Sequence, residues 1–210
     1  MTGLVLAGGR SSRFGSDKSR AVVHGGAQDM TAFSLNLFAA VSEVDVLAVS
    51  CRKEQTEALR DSGALLIPDE ENGAPTPLRG IVAALKRTGD AVFILPCDLP
   101  LMRPDVLAAL PRARALRLAD EAASGNALLR TCFLHEDGRM EPLVAIYEAE
   151  SLPFLEEALH AGRWGIHAAL PAWGNCLVPC PDETAFLNMN TPQERERAVN
   201  LLAACRGRDA

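Results

Sequence analysis

The stretch Ala91-Val92-Phe93-Ile94-Leu95 is apolar at every position and stops at Pro96. A strand with one wet face alternates apolar and polar residues, so an unbroken run reads as a strand buried on both faces, the habit of parallel sheets. Further short runs at 3–7, 45–50, 64–67, 126–134 and 143–147 read as strands. Helical patterns lie between them: Phe33, Leu37, Val41 and Val44 at helical spacing, then 53–61, a face of Leu78, Ile81, Val82 and Leu85, and 151–161. Pro104 suits a first helical turn, and Thr191-Pro192-Gln193-Glu194 spells a capping box with Pro at the first helical position. This alternation predicts an α/β fold with a mostly parallel sheet. The 210 residues suit a single domain, 1–210.

Composition removes several function classes. The net charge is −6, whereas a nucleic-acid binder usually carries a basic excess, so nucleic acid is not an expected partner. No apolar run reaches the roughly 18–20 residues that span a bilayer, so no membrane partner is expected. The apolar start, Met1 to Leu6, is short and lacks the charged region of a signal peptide. The expected location is cytoplasmic. Six cysteines are present, none in a C-x-x-C pair. Cys176 and Cys180 have no His near them in sequence, so the cysteines read as buried or incidental thiols rather than a zinc site.

Three motifs carry chemistry. Leu6-Ala7-Gly8-Gly9-Arg10-Ser11-Ser12-Arg13-Phe14-Gly15-Ser16-Asp17-Lys18 follows the first strand, which puts it at the carboxyl end of the sheet, where open α/β folds bind ligands. Glycines let backbone N–H groups approach phosphate oxygens, and Arg13 and Lys18 add positive charge. Neither G-x-x-x-x-G-K-[ST] nor G-x-G-x-x-G fits the loop. Read alone, it is either a phosphate cradle or a solvated basic turn.

Asp98, in Pro96-Cys97-Asp98-Leu99-Pro100, lies just past the buried strand. A carboxylate there suits Mg²⁺, a hard ion that often takes one or two protein carboxylates and fills its other positions with water and phosphate. A turn-forming Asp before Pro explains the same residue. In Phe186-Leu187-Asn188-Met189-Asn190-Thr191-Pro192, an extended backbone points Asn188 and Asn190 to one face, toward a metal, a phosphate or a pterin edge. Pro77-Leu78-Arg79-Gly80 is a weaker motif, in which Gly80 could bring a base or ribose close to the backbone or simply enter a helix.

With these residues in hand, the chain resembles the molybdenum cofactor guanylyltransferases and the small nucleotidyltransferases around them. The loop from Leu6 to Lys18 matches L-A-G-G-x-S-x-R-(M/F)-G-x-D-K at every defined position. Pro77-Leu78-x-Gly80, Cys97-Asp98-x-Pro100, Gly138-Arg139-x-x-Pro142-Leu143 and Phe186-x-Asn188-x-Asn190-Thr191-Pro192 follow in the family's order. The resemblance implies a three-layer αβα sandwich with a Rossmann-like sheet, of the nucleotide-diphospho-sugar-transferase kind. It implies attack by the terminal phosphate of molybdopterin on the α-phosphate of GTP, with Mg²⁺ as cofactor and pyrophosphate as leaving group. It also implies GTP, molybdopterin, cofactor-delivery proteins and molybdoenzymes as partners.

Carried over residue by residue, Leu6, Ala7, Gly8, Gly9, Arg10, Ser11 and Lys18 would hold the nucleotide together with Ser50, Pro77, Leu78 and Gly80. Lys18, Asp98 and Arg13 would be catalytic. Asp98 would bind the metal with Asn190, and Asn188, Asn190, Arg139, Pro142 and Arg163 would face the acceptor. The division would be a nucleotide-binding half at 1–100 and an acceptor-binding half at 101–210. Where the family often has an Asn after the second strand and an Asp before P-L-x-G, Ser50 and Gly73 stand here, in the region expected to read the base. Two alternatives remain open: a cytidylyltransferase on the same cofactor or another small phosphorylated acceptor, and a non-catalytic nucleotide- or cofactor-binding adaptor.

Overall fold

The computed structural model describes residues 1–8, 21–22, 28–69, 76–124 and 127–206. Seven strands form one sheet: β1 (Thr2–Leu6), β2 (Val46–Cys51), β3 (Leu65–Pro68), β4 (Val92–Pro96), β5 (Arg130–Leu134), β6 (Met140–Tyr147) and β7 (Asn175–Pro179). Their order is β3-β2-β1-β4-β6-β5-β7. Only β6 runs against its neighbours, pairing antiparallel with β4 and β5. The expected mostly parallel α/β sheet is therefore present.

The helices are α1 (Met30–Ala39), α2 (Thr56–Leu59), α3 (Pro77–Thr88), α4 (Pro104–Leu107), α5 (Ala109–Ser124), α6 (Leu152–His160) and α7 (Pro192–Arg206). Alternate strand residues face opposite layers. Val5, Val49, Phe93 and Leu95 pack with Phe38 of α1, Leu107 of α4 and Leu110 of α5, and Leu202 of α7 joins that side. Leu4, Ala48, Val92 and Ile94 pack with Leu78 and Ile81 of α3 and Leu155 of α6. Residues 92–95 thus supply both cores, which is why the run is unbroken. Phe38 meets Phe93 edge-on at 5.1 Å, a preferred aromatic geometry.

Local signals set the helix starts. Asp29 caps α1 by accepting from the Ala32 N–H at 2.9 Å. Thr76 precedes Pro77 and accepts from the Leu78 N–H, and Gly89 ends α3 in the left-handed region. The helical stretch expected over 53–61 is only a short α2 flanked by 3-10 turns.

Strand β7 was not legible as a strand. It is a partly exposed edge strand in which only Leu177 and Val178 are strongly apolar, so burial imposes no alternation on it. Its place is set from outside. Arg130, fully buried, donates to the Asn175 side chain at 2.9 Å and to the Ile166 carbonyl at 3.2 Å.

Candidate active site

Four strand ends meet in one row. Leu6 pairs with Ser50 on one side and Pro96 on the other, and Cys51 pairs with Pro68. The pairing continues past the strands. The Ala7 N–H donates to the Ser50 carbonyl at 2.8 Å, the Asp69 N–H to the Cys51 carbonyl at 2.7 Å, and the Cys97 N–H to the Leu6 carbonyl at 3.3 Å. Asp69, Ser50, Ala7-Gly8 and Cys97-Asp98 therefore lie side by side at the carboxyl end of the sheet. That is where the sequence located the first two motifs.

One end of the row is a polar corner. The Ser50 hydroxyl donates to the Asp69 carboxylate at 3.2 Å. A Cβ on Gly8 would come within 2.4 Å of Asp69 Oδ2, and one on Gly80 within 2.5 Å of Ser50 Oγ. A Cβ at either glycine would have to displace a side chain of the Ser50–Asp69 pair. The room expected above Gly80 for a base or ribose is taken by the Ser50 hydroxyl. Burial pushes the Asp69 carboxyl above its ordinary value, opposed by the Ser50 hydrogen bond and by Arg52. Burial and the nearby Asp69 charge push the Cys51 thiol up to about 11, so Cys51 is an inert core thiol.

The other end of the row is tied to the third motif. The Met189 N–H donates to the Asp98 carbonyl at 2.8 Å. Met189 is fully buried, while Asn188 and Asn190 line one hollow of about 260 Å³ with Phe186, Glu194 and Arg197. Leu187 and Ala198 line the same hollow. Glu194 completes the helix cap and fixes Asn190 as well. Its carboxylate accepts from the Asn190 N–H at 2.7 Å, and its own N–H donates to Thr191 Oγ1 at 3.2 Å.

Other predicted residues fare differently. Gly9, Arg10, Ser11, Arg13 and Lys18 lie outside the described residues, as does Gly73. Leu6 is half-buried, Ala7 is buried and Pro77 exposed. Leu78 is fully buried in the core beneath α3, so its side chain seats the helix. Pro142 is buried and its carbonyl accepts from the Tyr147 hydroxyl at 2.9 Å, so it braces β6 and presents no surface to an acceptor. Arg139 is exposed on the β5–β6 hairpin, 3.6 Å from both Asp137 and Glu141. Arg163 pairs with Glu157 at 3.0 Å. It belongs with α6, on the other face of the sheet from α7, and the neighbouring Trp164 carbonyl accepts from the Thr76 hydroxyl at 3.3 Å.

Two residues of the row escaped the sequence reading. Asp69, the residue directly after β3, sets a carboxylate against the Ser50 hydroxyl. An isolated Asp in a turn-rich stretch gives no signal of its own, and only the β2–β3 register sets it against Ser50. Gln55 is buried. Its amide donates to the Ala7 carbonyl at 3.3 Å and accepts from the Arg52 N–H at 2.8 Å, fixing the chain where the glycine loop departs.

The MobA-like NTP transferase domain matches residues 3–173. The chain belongs to that family. It is a nucleotidyltransferase by membership. A molybdenum cofactor guanylyltransferase of Pseudomonas fluorescens is 33% identical over 194 residues, covering 90% of this chain and 89% of that protein. A probable molybdenum cofactor guanylyltransferase of Chloroflexus aggregans is 32% identical, covering 92% and 91%. The solved structure of molybdopterin-guanine dinucleotide biosynthesis protein A from Archaeoglobus fulgidus has 25% identity and a TM-score of 0.75, covering 97% of this chain and all of that one. A CMP:2-keto-3-deoxy-manno-octonic acid synthetase shares the fold at 14% identity and a TM-score of 0.69. Among the described residues, no helix is long and apolar enough to cross a membrane.

Proposed function

We propose that this nucleotidyltransferase moves GMP from GTP to the terminal phosphate of molybdopterin, releasing pyrophosphate and forming a guanine dinucleotide. The observation that carries the reading is the Met189–Asp98 hydrogen bond. It holds the segment that carries Asn188 and Asn190 at the Asp98 backbone. A nucleotide half and an acceptor half that meet at Asp98 suit a transfer between two bound phosphates. The names of the relatives point to the same acceptor.

The residues fit the chemistry. Phosphate repels its nucleophile, so catalysis rests on positioning and charge neutralisation. Asp98 and the Asn190 amide offer hard oxygen donors, the set that Mg²⁺ takes. Mg²⁺ bound there would neutralise charge on the triphosphate. Lys18 and Arg13 would bring positive charge to the leaving pyrophosphate, and the Gly8-Gly9 loop would offer its backbone to the phosphates. Asn188 would face the acceptor, and Arg139 would reach it from the β5–β6 hairpin. A phosphate nucleophile is already ionised at neutral pH, so no general base is needed.

Asp69 favours guanine over cytosine. Guanine offers two adjacent donors, a ring N–H and an amine, and one carboxylate accepts both. Cytosine sets an acceptor beside its single amine, which would face a carboxylate oxygen. Ser50 holds Asp69 in place. The test is to offer each of the four triphosphates separately, with Mg²⁺ and molybdopterin, and to measure pyrophosphate. Turnover with GTP alone is expected. Equal or better turnover with CTP would overturn the guanine reading, and nucleotide binding without pyrophosphate release would point to an adaptor.

A further inference from the structure

A second cluster lies farther along the same edge of the sheet, at the carboxyl ends of β5 and β7. The Cys180 N–H donates to the Leu134 carbonyl at 2.9 Å, which brings Cys180 beside His135, far from it in sequence. Glu183 opens the 3-10 turn that follows. A His135 ring nitrogen, Cys180 Sγ and a Glu183 carboxylate oxygen all lie within 4.8 Å of one another, and Nδ1 is the nitrogen that meets Glu183. We propose that these three side chains form a binding site for one divalent ion of the Zn²⁺ class.

The donor set selects the metal. Sulfur, imidazole nitrogen and carboxylate oxygen suit Zn²⁺, whereas Mg²⁺ takes oxygen. Zinc bonds of about 2.0–2.3 Å set tetrahedral ligands roughly 3.3–3.7 Å apart, so only a small rearrangement is needed, in which the His135–Glu183 contact opens by about 1 Å while the cluster keeps its present reach. Three ligands leave a fourth position for water. Binding expels the Cys180 thiol proton and replaces the 2.5 Å contact between His135 Nδ1 and Glu183 with two bonds to the ion.

Two surroundings support a ligand here beyond the cluster itself. His135 is 3% exposed, and its other nitrogen, Nε2, is buried without a hydrogen bond. It faces Glu141 Oε2 at 3.5 Å. A metal-bound His normally turns its second N–H to a carboxylate in this way, and metal at Nδ1 would leave the proton on Nε2, aimed at Glu141. Glu183 is likewise held, since its Oε1 accepts from the Glu136 N–H at 3.2 Å while Oε2 points to the cluster. The Cys180 thiol already hydrogen-bonds the Glu183 carboxylate, so the three ligand side chains are gathered before an ion binds.

The ion would clamp the β5–β6 hairpin, the end of β7 and the turn that leads to Asn188. Phe186, in that turn, already packs edge-on against His135 at 5.0 Å.

The test titrates untagged protein with Zn²⁺ against a chromogenic chelator, and separately with Co²⁺, whose thiolate charge-transfer band reports sulfur ligation. Wild-type protein and Cys176→Ser are expected to bind one equivalent with equal affinity. Cys180→Ser and His135→Gln are expected to lose at least about 100-fold, and Glu141→Gln roughly 10–100-fold. Zn²⁺ should raise the melting temperature of wild-type protein but not of Cys180→Ser, a half-exposed position whose apo form should melt like wild type. Equal binding by Cys180→Ser, a Co²⁺ complex without the thiolate band, or no bound equivalent would each overturn the site.

Discussion

The backbone N–H of Met189 donates to the backbone carbonyl of Asp98 at 2.8 Å. Because Met189 is fully buried, that bond is protected from water, and it fixes the asparagines on either side of Met189 relative to the end of β4. Asn190 is fixed a second time by Glu194.

Glu194 is therefore expected to matter for both stability and turnover. Glu194→Ala removes one half of the capping pair, at a cost of about 0.5–2 kcal/mol. It also frees the Asn190 backbone. Denaturant unfolding should show the loss, and turnover should fall further than in a variant equally destabilised at the remote, exposed Arg60. If the two variants kept equal activity, the cap would be structural only.

Gly80 and Ser50 should be coupled. Ala is normally about 0.5–1 kcal/mol better than Gly inside a helix. At Gly80 the added Cβ would sit 2.5 Å from Ser50 Oγ, so Gly80→Ala should instead destabilise by about 1–3 kcal/mol. Adding Ser50→Gly should recover most of that loss in a double-mutant cycle. Additive effects would mean that the contact is not what keeps residue 80 small.

Asp69 gives a pH-dependent expectation. Its carboxyl is held above the ordinary value, chiefly by burial, so the folded state binds this proton more tightly than the unfolded chain does. Stability from this group is thus greatest below the ordinary carboxylate value of 3.8. It falls as pH rises through the raised folded value, and the cost is fully present at neutral pH. Asp69→Asn, which can still accept from Ser50, should melt higher than wild type at neutral pH and show no gain in acid. It should also blunt discrimination between GTP and CTP. A variant that melts lower at both pH values would contradict the assignment of burial as the cause.

Gln55 anchors the departure of the glycine loop. Gln55→Ala leaves the Ala7 carbonyl and the Arg52 N–H without this partner, a cost of about 1–3 kcal/mol per buried group. The expected result is a lower melting temperature together with a raised KM for the triphosphate. An unchanged KM would show that the loop does not depend on this bond.

The sequence made the sheet legible where burial was complete. Residues 92–95 serve both cores, so their composition alone announces a doubly covered strand. The cap at Thr191 was legible because its two side chains are close in the chain. By contrast β7 is a half-exposed edge strand, and its register comes from Arg130 reaching Asn175. The site divides in the same way. Gly8, Asp98, Asn188 and Asn190 sit in short motifs whose spacing carries the pattern. Asp69 and Gln55 become part of it only through contacts between strands far apart in sequence. Leu78 and Pro142 sat inside motifs yet proved to be packing residues, since spacing does not distinguish a side chain that meets a ligand from one that holds the backbone in place.

The most direct measurement follows transfer itself: GTP labelled at its α-phosphate, with Mg²⁺ and molybdopterin, comparing wild-type protein with Asp98→Ala and Lys18→Ala. The account predicts that wild-type protein forms a labelled dinucleotide and one pyrophosphate per transfer, and that both variants fold but transfer nothing. Wild-type turnover retained in both variants, or label that never reaches the pterin, would contradict it.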